Sequence, residues 1–429
     1  MSPEHSRAAV SACLGLLAIT LSAGSVMAQS SVQSGDSLPG PTQARPRFKA
    51  INLELEASSR YLLRDLTRHL NDLHDRYRRF KKKLQRNYNI QYSMAVSIIP
   101  QWGKPNGGPG AVSLVYTPAV TWNPFTNTAV GSGSFAFAIQ QTQFWTKVNT
   151  ADQQARLGLI TPPNVQPTNL TQYNQFMYTH TFPGGWSWLS LTVGQYSFAA
   201  YDSNEYAGSA LANFISYPLA QNGTQTYPNG GAGAYAQAAT ADQQFPVAGG
   251  AQHAANISGD SLTTRGLSAG QYAYFMAGEW APSLLGGGAY SILGYSQPSV
   301  PQQPSSSRGL SLNAVQNIDA KWGLFLRANG ASGTAIPIEA SVAWGGICHD
   351  PFHHNRLDQL GLGVFWNKTN LAALSQPARN AEWGSEIYYR FTIFKGLRFT
   401  PDIQFYFDSA LHPGSGPAAV FTVRTTAFF

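Results

Sequence analysis

From Tyr88 to Phe429 the chain alternates, with a period of two, between apolar residues and small or polar ones. This is the period of a β-strand, whose successive side chains point to opposite faces of the sheet. The apolar positions include Tyr88, Ile90, Tyr92, Met94, Val96 and Ile98, then Val112, Leu114 and Tyr116, Leu189, Leu191 and Val193, and Leu360, Leu362, Val364 and Trp366. The pattern predicts an all-β fold for residues 88–429.

The polar side of these strands lacks the charge that a water-facing surface carries. The chain holds 28 Lys and Arg and 21 Asp and Glu among 429 residues, about half the usual share. Between the apolar positions stand mainly Ser, Gly, Ala, Thr, Gln and Asn, which suit a wet interior. Beyond the N-terminus the sequence offers no run of 18 residues without polar interruption, which excludes a bundle of membrane-spanning helices. An apolar exterior around a polar lumen predicts an antiparallel transmembrane β-barrel.

The length of the β-region bounds the number of strands. Residues 93–429 accommodate sixteen strands of about ten residues with room for their connections, although fourteen or eighteen strands also fit. Counting back from the C-terminus places residues 408–417 and 367–384 outside the cell, and residues 394–396 and 347–357 in the periplasm. The chain ends in an alternating strand that closes on Phe429, which resembles the signal by which bacterial outer-membrane proteins reach the barrel-assembly machinery.

The N-terminal region has a different organisation. Residues 1–28 have the polar start, apolar run and small-residue cleavage site of an export signal, and residues 29–51 have the Ser, Gly, Pro and Gln content of a disordered leader. Removal of the signal would leave Cys348 as the one remaining cysteine, so we expect no internal disulfide.

Residues 52–87 predict an amphipathic, coiled-coil-like helix in the periplasm. Its apolar seam follows the heptad spacing of three and four residues through Leu63, Leu66, Leu70, Leu73, Tyr77, Phe80 and Leu84. A basic cluster flanks the seam at Arg76, Arg78, Arg79, Lys81, Lys82, Lys83 and Arg86. This cluster is either a solvated face or a contact for anionic lipid, lipopolysaccharide or another polyanion.

The basic excess does not extend into the β-region. Residues 1–92 hold 14 Lys and Arg against 7 Asp and Glu, whereas residues 93–429 hold 14 of each. We therefore expect no nucleic-acid partner.

The alternation also assigns faces to the charged residues of the strands. A charge that faces lipid at the bilayer midplane costs about 2–4 kcal/mol for Arg or Lys, so charged residues are expected to face the lumen. The residues predicted to point inward and contact the solute are Arg156, Arg327, Glu339, Glu386, Arg390, Arg398, Asp402 and Arg424. They either form a constriction, for which Arg327, Glu339 and Arg390 are the first candidates, or brace the barrel as ion pairs.

Enzymatic and metal-dependent functions find little support. No nucleophile-elbow pattern is present, so we expect no enzyme and no cofactor. His349, Asp350, His353 and His354 lie close in sequence, but their spacing matches no established zinc signature. We interpret them as a polar periplasmic turn and predict no metal site.

Several segments of the second half are similar to the carbohydrate-selective porin family. They are LTVGQYSFAAYDSNEYAGSALANF from Leu191 to Phe214, GLFLRANG from Gly323, ASVAWGG from Ala340, RLDQLGLGV from Arg356, EIYYRF from Glu386 and LRFTPDIQFYF from Leu397. The most specific parts are the runs that begin at Arg356 and Thr400. The resemblance covers roughly residues 140–429 and implies a sixteen-stranded barrel for passive uptake of neutral sugars.

These observations lead to one hypothesis and one alternative. We expect an outer-membrane porin that passes small neutral saccharides, surrounded by outer-membrane lipid and lipopolysaccharide. We further expect a homotrimer, with the heptad helix as its trimerising or anchoring element. The alternative is a structural barrel or one that exports a polysaccharide. Whether residues 201–265 fold into the lumen stays open at this point.

Overall fold

The computed structural model describes residues 64–202, 204–240 and 244–429. In this part of the chain sixteen antiparallel strands pair with their sequence neighbours, and the first strand pairs with the last to close a barrel. The predicted all-β, sixteen-stranded antiparallel barrel is confirmed. The export signal, the leader and residues 52–63, including Leu63, lie outside the described residues.

The strands differ in length around the barrel. They are β1 Ile90–Lys104, β2 Ala111–Thr128, β3 Gly131–Phe144, β4 Leu170–Thr181, β5 Leu189–Tyr196, β6 Gly231–Ala238, β7 Val247–His253, β8 Tyr272–Trp280, β9 Gly288–Gln297, β10 Ser307–Asn317, β11 Trp322–Ala331, β12 Ile338–His349, β13 Gln359–Thr369, β14 Ala381–Phe394, β15 Leu397–Tyr406 and β16 Ala418–Phe428. The helices are α1 Arg64–Tyr88, α2 Thr150–Leu157 and α3 Tyr217–Ala220.

The two faces of the wall have the composition that the alternation predicts. On β13, Phe365 and Asn367 are fully buried on the inner face, whereas Leu362 is 54% exposed on the outer face. The exposed apolar belt continues around the barrel through Val193, Ile292, Leu310, Leu312, Leu324, Leu326 and Ile387. An exposed apolar belt of this extent fits contact with lipid and not with water.

Exposed aromatic side chains border the belt at both ends. At the end with the long connections they include Trp102, Trp145, Trp383, Phe407 and Phe421, and at the other end Trp122, Trp186, Trp188, Trp280 and Trp322. Two such aromatic rings mark the two interfaces of a membrane-spanning barrel.

The connections at the two ends differ in length. One end, the short-turn end, carries tight turns at residues 129–130, 318–321 and 395–396. The opposite end, the long-loop end, carries residues 145–169, 197–230 and 254–271. Outer-membrane barrels have their short turns in the periplasm and their longer loops outside.

Helix α1 docks at the short-turn end. Lys395, in the turn between β14 and β15, donates from Nζ to Asp75 Oδ1 at 2.9 Å and from its backbone N–H to Asn71 Oδ1 at 3.1 Å. Tyr77 donates a hydrogen bond to Tyr92 on β1. None of the described helices is both long enough and apolar enough to span a membrane.

The docked face of α1 is polar and keeps its charge low. Burial, reinforced by the Arg78 charge, lowers the pKa of His74 to about 4. The same two causes lower the pKa of Lys81 to about 7, and its ammonium lies 4.6 Å from the centre of the Tyr92 ring. Burial of a cation disfavours its charged form, so the docked position favours the neutral forms of His74 and Lys81.

Leu73 and Phe80 of the apolar seam of α1 face away from the barrel, whereas Tyr77 of the same seam contacts Tyr92 on β1. Leu73 and Phe80 are 52% and 50% exposed. Leu70, Tyr77 and Leu84 are partly exposed, and the side chain of Leu66 lies outside the described part. Among the residues that the structure describes, Leu73 and Phe80 of this seam are therefore left about half exposed.

Candidate functional site

The lumen is narrowed by the connection between β5 and β6. This segment, residues 197–202 and 204–230, is called the inner loop, and it folds into the barrel. Phe198, Phe214 and Ile215 in the loop are 0% exposed. Ala, Phe, Tyr and Leu recur through the segment, so it has apolar side chains to bury once it leaves the wall.

Aromatic contacts fix the inner loop against the inner wall. The ring of Phe214 lies 5.2 Å from that of Phe325 on β11 and 5.0 Å from that of Tyr388 on β14, measured between centroids. Leu211 and Ile215 pack with Ile99 of β1 in a second apolar cluster. The lumen next to β9–β16 and β1 is therefore filled by a packed core.

Charged wall residues hold the backbone of the inner loop. The Glu386 carboxylate accepts hydrogen bonds from the backbone N–H groups of Ile215 at 2.6 Å and Ser216 at 2.9 Å, at the start of α3. Arg424 donates to the carbonyl oxygens of Ala210 and, at 2.8 Å, of Asn213. The wall thus offers an anion where the loop exposes amides and a cation where it exposes carbonyls.

Two further arginines act on the same loop. Arg390 donates to the carbonyl oxygen of Ala212 at 3.0 Å, next to the Arg424 contacts. Arg327 donates from Nε to Asn313 Oδ1 at 2.9 Å. Asn313 in turn donates to Asp202 in the inner loop, also at 2.9 Å.

Asp202 is the centre of a second anchor. Its carboxylate accepts hydrogen bonds from Asn222 at 2.7 Å and Tyr227 at 2.9 Å, both in the second half of the inner loop. It also accepts one from Ser311 on β10. A single carboxylate therefore ties the two halves of the loop to each other and to the wall.

A second segment, residues 149–167, folds inward at the long-loop end and is called the cap segment. It contains α2, which begins with a capping box between Asn149 and Asp152. Glu382 accepts a hydrogen bond from the backbone of Ile160 at 3.0 Å. Gln101 and Gln404 donate to the carbonyl oxygen of Pro163 at 3.1 and 2.9 Å. The cap segment therefore covers part of the lumen beside β1 and β14–β16.

The structure places the eight predicted pore residues in three settings. Arg327, Glu386, Arg390, Asp402 and Arg424 point inward and are buried between the wall and the inner loop. Arg398 is inward and partly exposed, with its guanidinium carbon 4.4 Å from the centre of the Phe428 ring. The remaining two, Arg156 and Glu339, do not occupy regular inward positions of a strand.

Each of these two departures has a local cause. Arg156 lies on helix α2, where strand alternation does not apply, and its side chain is exposed. Glu339 lies at a β-bulge between Ile338 and Ala340, which shifts the register. A bulge reorients the side chain beside it, and Glu339 forms an ion pair with Lys368 on the outer, partly exposed side.

Two carboxylates that anchor the inward-folded segments, Glu382 and Asp202, were not predicted from the sequence. Glu382 lies four residues before Glu386 on the same strand, so the period of two would have placed it inside. Asp202 lies in a connection without periodicity, and no sequence signal pointed to it.

Part of the inner wall is neutral and reaches water. Toward the short-turn end of β2–β4, the inward side chains of Thr117, Ala119, Thr121, Ala136 and Thr179 are partly exposed. The large inward charges lie on other strands, under the inner loop or the cap segment, except for Arg398, which is partly exposed. The side of the lumen that keeps contact with water is therefore lined by small, uncharged groups.

The histidine-rich turn forms a local hydrogen-bonded structure. It lies in the connection between β12 and β13, and His354 Nδ1 is 3.0 Å from Asp358 Oδ2. Among residues 64–202, 204–240 and 244–429, no group of three or more His, Cys, Asp or Glu side chains could hold a metal ion.

A closed sixteen-stranded barrel with an apolar belt, two aromatic rings and a connection folded into its lumen is the architecture of an outer-membrane porin. The family can also be stated. Residues 110–429 match the model of the carbohydrate-selective porin family OprB, and the chain belongs to this family.

Two relatives agree with this assignment. The chain is 33% identical over 347 residues to Porin AaxA of Chlamydia pneumoniae, covering 78% of each chain. It is 32% identical over 370 residues to Porin AaxA of Chlamydia trachomatis serovar D, covering 81% of this chain and 79% of the relative.

Two solved structures share the fold. OprB of Pseudomonas putida, in its high-pH structure, superposes with a TM-score of 0.65 at 15% identity, over 82% of this chain and 96% of that one. OmpF of Salmonella typhi, solved in complex with daunomycin, gives a TM-score of 0.53 at 9% identity, over 79% of this chain and 97% of that one.

Proposed function

We propose that this porin passes small neutral saccharides across the outer membrane by passive, selective diffusion. The main observation behind the proposal is that inward charged side chains bind the inner loop and do not line the open channel. Glu386, Arg390 and Arg424 bind the backbone of the inner loop, and the water-contacting wall of β2–β4 is left with neutral hydroxyl and methyl groups. A neutral lining offers no net attraction to ions of either sign.

The chemistry of sugars fits such a lining. Sugar hydroxyls both donate and accept hydrogen bonds, as the hydroxyls of Thr117, Thr121 and Thr179 do. Conduction requires that binding be weak enough for the solute to leave. The description of the family as carbohydrate-selective supports the same substrate class.

Liposome swelling tests the proposal. Vesicles that contain the purified porin should swell faster in monosaccharides than in salts of similar hydrated size, because the lining favours neutral hydroxylated solutes. Equal rates for sugars and salts would remove the selective function. A barrel that only braces the membrane or exports a polymer would admit neither class of small solute.

We also propose that α1 lies in the periplasm and joins three copies of the chain. Its docked face contains Asn71 and Asp75, and the seam residues Leu73 and Phe80 lie about 170° away around the helix. The exposed basic side chains occupy the remaining sector, at Arg76, Arg79, Lys82, Lys83 and Arg86. Leu73 and Phe80 of the heptad seam are exposed, and such apolar side chains favour association with the seams of neighbouring copies.

The double variant Leu73→Asp, Phe80→Asp should convert trimers to monomers on a non-denaturing gel, because it places two charges, one heptad apart, into the seam. The matched control is Arg76→Asp, Arg79→Asp on the basic sector of the same helix, which should leave the trimers intact. Persistence of trimers in the seam variant would show that the barrel walls alone hold the copies together.

The C-terminal residue has a structural role that accompanies its proposed recognition by the barrel-assembly machinery. The backbone N–H of Phe429 donates to the carbonyl oxygen of Met94 at 2.6 Å, and the N–H of Met94 donates to the carbonyl oxygen of Phe429 at 2.8 Å. Phe429, which we propose the assembly machinery recognises, therefore also forms the terminal backbone pair between the first and last strands of the barrel.

A further inference from the structure

The inner loop presents one row of amide side chains that the proposed function has not used. Along residues 221–229 every fourth residue, Gln221, Gln225 and Asn229, is partly exposed, while the residues between them are buried. Tyr217, four residues earlier, is also partly exposed, and its side chain is hydrogen-bonded to that of Gln221. A period of four thus gives the inner loop one polar, partly exposed edge.

The row continues onto the wall. Gln225 donates from Nε2 to Asn229 Oδ1 at 2.7 Å. Asn229 lies beside Gly259, where a Cβ atom would stand 3.2 Å from the Asn229 Cβ. The neighbouring Ser258 accepts at its carbonyl oxygen a hydrogen bond from Gln172 at 3.0 Å.

The wall end of the row is a pair of glutamines on adjacent strands. Gln140 on β3 and Gln172 on β4 are register partners, and Gln140 donates from Nε2 to Gln172 Oε1 at 3.0 Å. Both lie near the long-loop end of their strands and are partly exposed. The inward direction of Gln140 follows from Thr142, two residues further on the same face, which is 4% exposed.

We propose that Gln140, Gln172, Asn229, Gln225, Gln221 and Tyr217, here called the amide row, form the saccharide-selective contact on the extracellular side of the channel. The proposal rests on the proposed function and names the residues that provide its selectivity. All six side chains of the amide row are uncharged and partly exposed. The buried arginines and glutamates instead hold the inner loop in place.

The chemistry of amides suits this role. Each primary amide offers two N–H donors and a carbonyl with two lone pairs, so a pair such as Gln225 and Asn229 keeps unused donors and acceptors after its own hydrogen bond. A sugar hydroxyl, which both donates and accepts, finds partners of either kind along the row. The Tyr217 ring adds an apolar surface for the C–H face of a pyranose.

Weak binding follows from the same pairing. Between passages the amides are bonded to each other and to water, so a solute exchanges hydrogen bonds and gains only a small net free energy. Several weak contacts in sequence allow a sugar to enter and to leave. Ions gain little, because an amide row offers no net charge.

Sugar-dependent block of ion current in planar bilayers tests the row, with glucose and maltose as probes in potassium chloride. Q140L and Q225L each remove an amide while keeping a side chain of similar size. The half-blocking sugar concentration should rise about fivefold in each variant, the effect of one lost hydrogen bond. The conductance for potassium chloride should change less than the half-blocking sugar concentration, because ions gain little from the amides.

Q141L is the matched control, because Gln141 is the next residue of β3 and is exposed on the outer face. It should leave the half-blocking concentration unchanged. Q140L lies on the wall, so a disturbance of the inner loop in Q225L does not weaken the test. Unchanged block in both Q140L and Q225L overturns the amide row while the proposed function stands. Absence of sugar block in the original protein overturns both.

Discussion

Replacing Glu386 with glutamine should release the inner loop and turn a quiet, narrow channel into a wider, fluctuating one. The carboxylate accepts hydrogen bonds from two adjacent backbone N–H groups, of Ile215 and Ser216. A glutamine accepts from one of them and points its own N–H₂ toward the other. Hydrogen bonds to a charged group contribute about 1.5–3 kcal/mol each, so the anchored state should lose about 2 kcal/mol.

A loss of this size raises the population of the released loop roughly thirtyfold. Single-channel recording should show larger and noisier conductance, and liposome swelling should show reduced discrimination between sugars and salts. Arg424→Met should act in the same direction, because it removes the donors to Ala210 and Asn213.

The matched control for this experiment is Glu339→Gln. Glu339 also lies on a wall strand, but its partner is Lys368 on the outer side of the barrel, away from the inner loop. Its channel properties should equal those of the original protein. A correctly folded Glu386→Gln barrel with unchanged conductance would mean that the apolar contacts of the loop suffice to hold it.

Replacing Leu326 with arginine should destabilise the whole barrel. Leu326 is 45% exposed on the outer face of β11, in the apolar belt. An arginine at the bilayer midplane costs about 2–4 kcal/mol in a barrel. Denaturant titration of the protein in lipid vesicles should show this loss as a lower free energy of unfolding.

The same substitution at Ile318 provides the comparison. Ile318 is 44% exposed, a value close to that of Leu326, but it lies in the turn between β10 and β11 at the edge of the membrane. The cost near an interface is about 0–1 kcal/mol. Equal costs at the two positions would contradict the assignment of this face to lipid.

The barrel could be predicted from the sequence because every strand must meet the same physical requirement. Each strand must expose one side to lipid and the other to the lumen, and this requirement appears in the sequence as a period of two. The inward positions of Glu386, Arg390 and Arg424 followed from that period alone. It is interrupted at Glu339, because a single bulge shifts the register without a trace in the composition.

The roles of these residues were harder to obtain than their directions. Arg424 and Glu386 were predicted to point inward and either to contact the solute or to brace the barrel as ion pairs, but they bind backbone groups of a segment 170 to 214 residues away in sequence. Contacts of that range depend on where a non-periodic connection folds, and no local pattern specifies it. The amide row was missed for the same reason, since its spacing of four acquires meaning only after the loop enters the barrel.

The pairing of β1 with β16, which closes the barrel, has a consequence for how the molecule forms. Ser97 and Thr426 share a hydrogen bond across 329 residues of chain, and Phe429 completes the ladder between the first and last strands. Until the final residues arrive, β1 keeps an open edge that can pair with other chains. Joining such distant segments is slow, because the entropy of the intervening loop is lost before the contact forms. Substitutions in the β1–β16 pairing should therefore delay assembly of the barrel more than they alter permeation.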